Sequence, residues 1–224
     1  VGLNYPTMAG LLVLPSVGLL FPGDPEAAYR AAYEAAFFDI GYAREATALL
    51  AALQSAALAG KAPDVVVYET LAMDPLHLRG YFGGPFIGEK LPLLLKQAAG
   101  KKGEELANFL SSALRHFSVF DPYRALAIAC AALLAHADDP WQALLVAANH
   151  GDLDEAGTWR RYADVDCYAG IAGALIGACC GDRVLPEELI VRVVEGNRVV
   201  YSFDLEDTIE RFAQLIICLT GGED

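Results

Sequence analysis

At three places this chain sets Asp-Pro ahead of an Ala-rich apolar run: Asp24-Pro25, Asp121-Pro122 and Asp139-Pro140. An aspartate can accept a backbone N–H at the N-cap, and proline fits the first helical position because its missing donor is not needed there. Each pair is therefore a helix start. The spacing predicts helices over residues 27–38 and 44–59, forming an αα-hairpin around Gly41, and then over 104–116, 123–136 and 141–149. Further helices are expected at 167–180, 186–195 and 205–219. Glycines and prolines interrupt residues 61–92, which read as loop with short helices, and Val65-Val66-Val67-Tyr68 is the one expected strand. The local start signal recurs without a repeat period, so the expectation is a single all-α domain over residues 1–224.

Composition narrows the partners. With 29 acidic and 16 basic side chains the net charge is −13, and such a surface repels a nucleic-acid backbone. A hydrophobic fraction of 55% excludes disorder. The five cysteines, Cys130, Cys167, Cys179, Cys180 and Cys218, show no C-x-x-C spacing and lie mostly in apolar runs. They read as buried thiols of a reducing, cytoplasmic compartment. The apolar opening from Met8 to Phe21 lacks a basic flank and contains Pro15 and Gly18, so it does not read as a signal peptide. Other uncharged runs are too short to span a membrane.

The most informative stretch runs from Ala163 to Gly177. Asp164 and Asp166 stand just before a helix whose Gly170, Gly173, Gly177 and Gly181 share roughly one face. Glycine costs about 1 kcal/mol per helical position relative to alanine, so the stripe predicts close packing against another helix. The two carboxylates then have two readings. They cap the helix and favour its positive end, or they are held near the centre of a bundle to grip a hard cation such as Mg²⁺. His150 after Asn149 reads as a helix-end residue, and His77, His116 and His136 show no ligand spacing.

Asp-x-Asp followed by Gly-Ile-Ala-Gly-Ala-Leu-Ile-Gly-Ala resembles the C-terminal metal motif of the ADP-ribosylglycohydrolases. Asn4-Tyr5-Pro6-Thr7-Met8 is similar to that family's substrate-contacting loop, Asn149-His150-Gly151 to the residues before its aspartates, and Leu185-Pro186 to the helix start after them. The resemblance implies an orthogonally packed helical bundle and a Mg²⁺-dependent hydrolase. Such an enzyme releases ADP-ribose from a modified protein side chain or an ADP-ribosyl small molecule. It implies Asp164 and Asp166 as metal ligands and contacts from Thr7 and Met8 to the ligand's phosphates.

The chain also departs from the family pattern. Family members carry N-terminal helices with a Thr/Ser-Asp-Asp triplet that completes the metal centre; here Asp138-Asp139 is the only Asp-Asp pair and lies elsewhere. The chain is thus expected to lack those helices, and a second copy or a second chain is expected to cover the apolar face they would leave. Cys167 stands where a hydroxyl is expected, and Asp39 where the family often has histidine. Residues between Gly151 and Asp164 leave a second register open, with Asp152 and Asp154 as ligands. The alternative function is a non-catalytic relative that binds a nucleotide-like ligand or a protein, or is structural.

Overall fold

The computed structural model describes residues 5–79, 84–182 and 185–221. The chain divides into two compact units, Val1–Gly181 and Asp182–Asp224. In the first unit the elements run α1 (Ala9–Val13), a 3-10 helix (Pro15–Leu20), α2 (Pro25–Ala35), α3 (Tyr42–Ala57), α4 (Pro63–Leu71), α5 (Ile87–Ala98), α6 (Gly103–Ala113), α7 (Pro122–Ala135), α8 (Pro140–Ala148), β1 (Gly151–Leu153), β2 (Trp159–Tyr162) and α9 (Val165–Cys180). The all-α expectation stands, with one small antiparallel hairpin added.

The three Asp-Pro starts act as the chemistry requires. Asp24 accepts the Ala27 N–H, Asp121 the Tyr123 N–H and Asp139 the Gln142 N–H. Helices α3 and α7 form the centre, buried along nearly their whole length. A helix apolar on all sides has to be surrounded. Accordingly α3 contacts α2, α4, α7 and α9, and α7 contacts α5, α8 and α9.

Two buried carboxylates tie peripheral segments to α3. Glu45 accepts the backbone N–H groups of Phe86, Ile87 and Gly88, so the first turn of α5 is capped from another helix. Burial nevertheless holds its carboxyl above the ordinary range. Asp39 accepts the Gly10 N–H and the Thr47 hydroxyl, which seats α1 on α3. A Cβ on Gly10 would collide with both partners.

Several expectations are corrected. Val65–Tyr68 is not a strand but lies inside α4, because Pro63 occupies the first helical turn and Val66, Val67, Thr70 and Leu71 form a buried helical stripe. The region 61–92 also gives up Ile87–Pro92 to α5, which continues through Pro92. Among the thiols only Cys130 is buried; Cys167, Cys179 and Cys180 are half-buried and Cys218 is exposed. The glycine stripe of α9 is not a tight seam. Among the described residues, a Cβ at Gly170, Gly177 or Gly181 would meet nothing within 4 Å, and at Gly173 only Leu144 at 3.8 Å. The larger side chains set the orientation of α9: Tyr168, Ile171, Ala172, Leu175 and Ile176 are its buried face.

The second unit holds α10 (Glu187–Tyr201) and α11 (Leu205–Thr220), which contact one another. Ser202 ends α10 in the left-handed region at φ 53°, and Asp204 caps α11 through the Asp207 N–H. Arg198 lies 3.8 Å from Asp204 and 3.4 Å from Glu206 across that corner. Among the described residues no helix is long and apolar enough to cross a membrane.

Candidate metal centre

Asp164 is the N-cap residue of α9, yet its carboxylate accepts no backbone N–H of the helix. The aspartates at the same position of α2, α7, α8 and α11 all do. Asp164 is half-buried, Asp166 is exposed on the first turn, and Cys167 is half-buried beside them. One ligand atom from each of the three lies within 4.8 Å of the others, the one such group of three among the described residues. The pKa of the Cys167 thiol is pushed up to about 12, first by burial, then by the neighbouring carboxylates of Asp164 and Asp166.

Asp164 opens onto a cleft of about 170 Å³ lined by Val119, Phe120, Arg161, Tyr162 and Ala163. These residues come from the turn before α7 and from the end of β2, which distant side chains hold in place. The Tyr168 hydroxyl donates to the Val119 carbonyl at 2.5 Å. Arg124, fully buried on α7, donates to the Phe117 carbonyl at 3.2 Å and the Gly151 carbonyl at 3.0 Å. Its guanidinium also lies 3.6 Å from the Asp152 carboxylate, whose second oxygen is 3.4 Å from Arg161. One buried cation therefore holds both the turn before α7 and the hairpin before α9.

The hairpin carries a bulge. Asp152 pairs with Arg161 and Leu153 with Trp159, so Arg160 has no partner across the ladder. An extra residue reverses the alternation of the strand, which brings Trp159 and Tyr162 together, ring centroids 5.2 Å apart. Both are more than half exposed. Gly151 gives the Trp159 ring its seat, since a Cβ there would strike it.

Neither Thr7 nor Met8 lines this cleft. Met8 is buried and its N–H donates to the carbonyl of Phe120, a lining residue, at 3.0 Å; Thr7 is half-buried next to it. Asn4 lies outside the described residues. Asp152 and Asp154, the alternative pair, are engaged elsewhere: Asp152 with the two arginines, Asp154 in accepting the Thr158 N–H across the hairpin turn. Asp39 anchors α1 as described above. Sequence reasoning missed Arg161, Tyr162 and Phe120 as cleft residues and Arg124 as their support. Only the Arg-Arg-Tyr run next to the aspartates offered a signal.

His150 is fully buried, edge-on to Tyr168 with ring centroids 5.6 Å apart, and neither ring nitrogen has a partner. Burial, with Arg124 adding to it, brings its pKa down to about 3. The unfolded chain therefore takes up a proton near pH 6.5 that the folded one refuses. His150 stabilises the fold above that pH and loses this contribution as the pH falls toward 3. The buried Asp39, Glu45 and Asp121, whose pKa values are raised, act in the opposite sense, so a variant is needed to isolate the histidine. Relative to His150→Phe, wild-type stability should fall by about 1.4 kcal/mol per pH unit below pH 6.5. Urea denaturation from pH 7.5 to 4.5 checks this, and a pH-independent difference would refute it.

The donor set can be weighed for a cation from its chemistry. Two carboxylates suit a hard divalent ion, and no backbone N–H of the helix start consumes the oxygens of Asp164. The thiol suits a softer one. No curated protein and no solved structure matches the chain. The ADP-ribosylglycohydrolase family model matches residues 6–220 of the 224, a span that takes in the Thr7–Met8 loop, the Asp164–Cys167 group and both units. The chain belongs to the ADP-ribosylglycohydrolase family.

Proposed function

We propose that this protein is a divalent-metal-dependent hydrolase that releases ADP-ribose from a modified side chain or a related ADP-ribosyl compound, with Asp164 and Asp166 as metal ligands. The observation that carries the reading is the Asp164 carboxylate, which occupies a capping position without capping and faces a cleft beside a second carboxylate. Mg²⁺ is the ion that two carboxylates alone would favour. When bound, the cation supplies Lewis acidity and orientation for the ribose hydroxyls.

The chain's own residues supply the rest. A cleft of about 170 Å³ is below the ~300 Å³ at which pockets for whole drug-sized ligands begin. It takes a sugar-sized end, with the remainder of the ligand along its rim. Arg161 brings positive charge to that rim, which an acidic protein needs if it is to hold a diphosphate. The Thr7–Met8 loop supports the cleft from behind, through the Met8 N–H on the Phe120 carbonyl. In the reaction, water adds its hydroxyl to the anomeric carbon, the glycosidic bond breaks, and the acceptor atom leaves with a proton. A carboxylate oxygen at the cleft can relay that proton.

The test is release of ADP-ribose from an ADP-ribosylated protein with added divalent cation and again with excess chelator. Release that chelation stops supports the reading. Binding of ADP-ribose without release under any metal supports the non-catalytic relative instead. Neither binding nor release overturns both.

A further inference from the structure

We infer that Cys167 is a third donor to the cation at Asp164 and Asp166, so that this site takes a thiophilic divalent ion of the Co²⁺ or Zn²⁺ class in preference to Mg²⁺. The inference rests on the reading of that aspartate pair as metal ligands and concerns which metal the pair holds. It begins from backbone placement. Asp164 is the N-cap of α9 and Cys167 stands three residues on, the two positions whose side chains face one another across the first turn of a helix. Asp166, on the same turn, completes a group whose ligand atoms lie within 4.8 Å of each other.

Metal–oxygen bonds of about 2.0–2.2 Å and a metal–sulfur bond of about 2.3 Å put the ligand atoms of one ion no more than about 4.5 Å apart, so binding draws the three side chains together by small rotations about their own bonds. The donor set that results is two oxygens and one sulfur. Mg²⁺ prefers an all-oxygen octahedron and gives little for a thiolate, whereas Zn²⁺ and Co²⁺ accept mixed sets with sulfur. Cys167 also differs from the chain's buried thiol. Cys130 is surrounded by the apolar core, while the half-buried Cys167 has its sulfur within 4.8 Å of an oxygen from each of two carboxylates. A serine would serve an all-oxygen site better. Coordination balances as an exchange: the thiol gives its proton to buffer as the metal–sulfur bond forms, with no change in oxidation state.

The experiment is a Co²⁺ titration of the full chain under reducing conditions, following thiolate-to-cobalt charge-transfer absorption in the near ultraviolet, with Mg²⁺ as competitor. Three proteins are compared: wild type, Cys167→Ser and the Asp164→Asn, Asp166→Asn double variant. Serine keeps a small polar donor at that turn, so folding is preserved. Wild type should develop the band on binding, and Mg²⁺ should displace Co²⁺ only in large excess. Cys167→Ser should bind without the band. Losing even an outer-shell partner costs about 10–100-fold in metal affinity, so Mg²⁺ should compete at least about tenfold more effectively in this variant. A band or a competition ratio unchanged in Cys167→Ser overturns the inference and leaves the aspartate pair standing, since the absorbing thiol would then be another. Co²⁺ affinity unchanged in the double aspartate variant overturns the pair itself.

Discussion

Replacing Asp164 and Asp166 together by asparagine should lower metal-dependent ADP-ribose release by at least about 100-fold, because removing even one preorganised electrostatic contact at a reacting centre costs about 10²–10³ in rate. The fold should be indifferent. Asp164 is half-buried, Asp166 is exposed, and neither side chain caps the helix in the folded chain. Their interaction with the positive end of α9 is worth about 0.3–1 kcal/mol each, and relief of their mutual repulsion offsets part of that. Asparagine is itself a good N-cap. The variant should thus unfold within about 1 kcal/mol of wild type while losing activity. Rate and thermal unfolding measured on one preparation separate this outcome from simple misfolding. A variant with full activity would remove the pair from the site.

Arg124→Met should act in the opposite way, on stability first. Arg124 is fully buried, yet it donates to two carbonyls and faces the Asp152 carboxylate at 3.6 Å. Removing one partner of a buried, hydrogen-bonded pair costs about 3–5 kcal/mol, since the groups left behind stay desolvated and unpaired. At about 2–4 °C per kcal/mol for a chain of this size, the midpoint should drop by roughly 6–20 °C. Because the same guanidinium ties the Phe117 carbonyl to the Gly151 carbonyl, the variant should also loosen the cleft. Protease cleavage within the Asp154–Thr158 turn would report that loosening. A midpoint shift under about 2 °C would mean that the arginine does not tie these two segments together.

How far the sequence was legible follows from the range of each signal. The Asp-Pro starts are local: cap, proline and first turn lie within a few residues, and the helices they announce are present at Pro25, Pro122 and Pro140. Val65–Tyr68 misled because β-branched residues favour strands only where a partner strand exists; among the described residues no strand lies beside it, and Pro63 had already started a helix. The glycines of α9 misled for a related reason. Small residues permit close packing without requiring it, and the helix turned its larger side chains, Tyr168, Ile171, Leu175 and Ile176, to the core instead.

The hairpin was not anticipated, although its turn left a local signal. Gly157 adopts φ 81° in a short turn before Trp159, a loop containing glycine ahead of an aromatic run. Its bulge left none, since the pairing of Asp152 with Arg161 and Leu153 with Trp159 depends on register rather than composition. The aspartate pair could be found because it is contiguous. The cleft could not, because Phe120, Arg161 and Asp164 are brought together by Arg124, Tyr168 and the Met8 N–H from distant segments.

The most direct check on the central claim is anomalous diffraction from crystals grown with Mn²⁺. The account predicts a peak within about 2.0–2.6 Å of a carboxylate oxygen from both Asp164 and Asp166, the range for hard divalent ions on oxygen. Clear density for both side chains with Mn²⁺ absent there, or bound at another site at the same concentration, would contradict it.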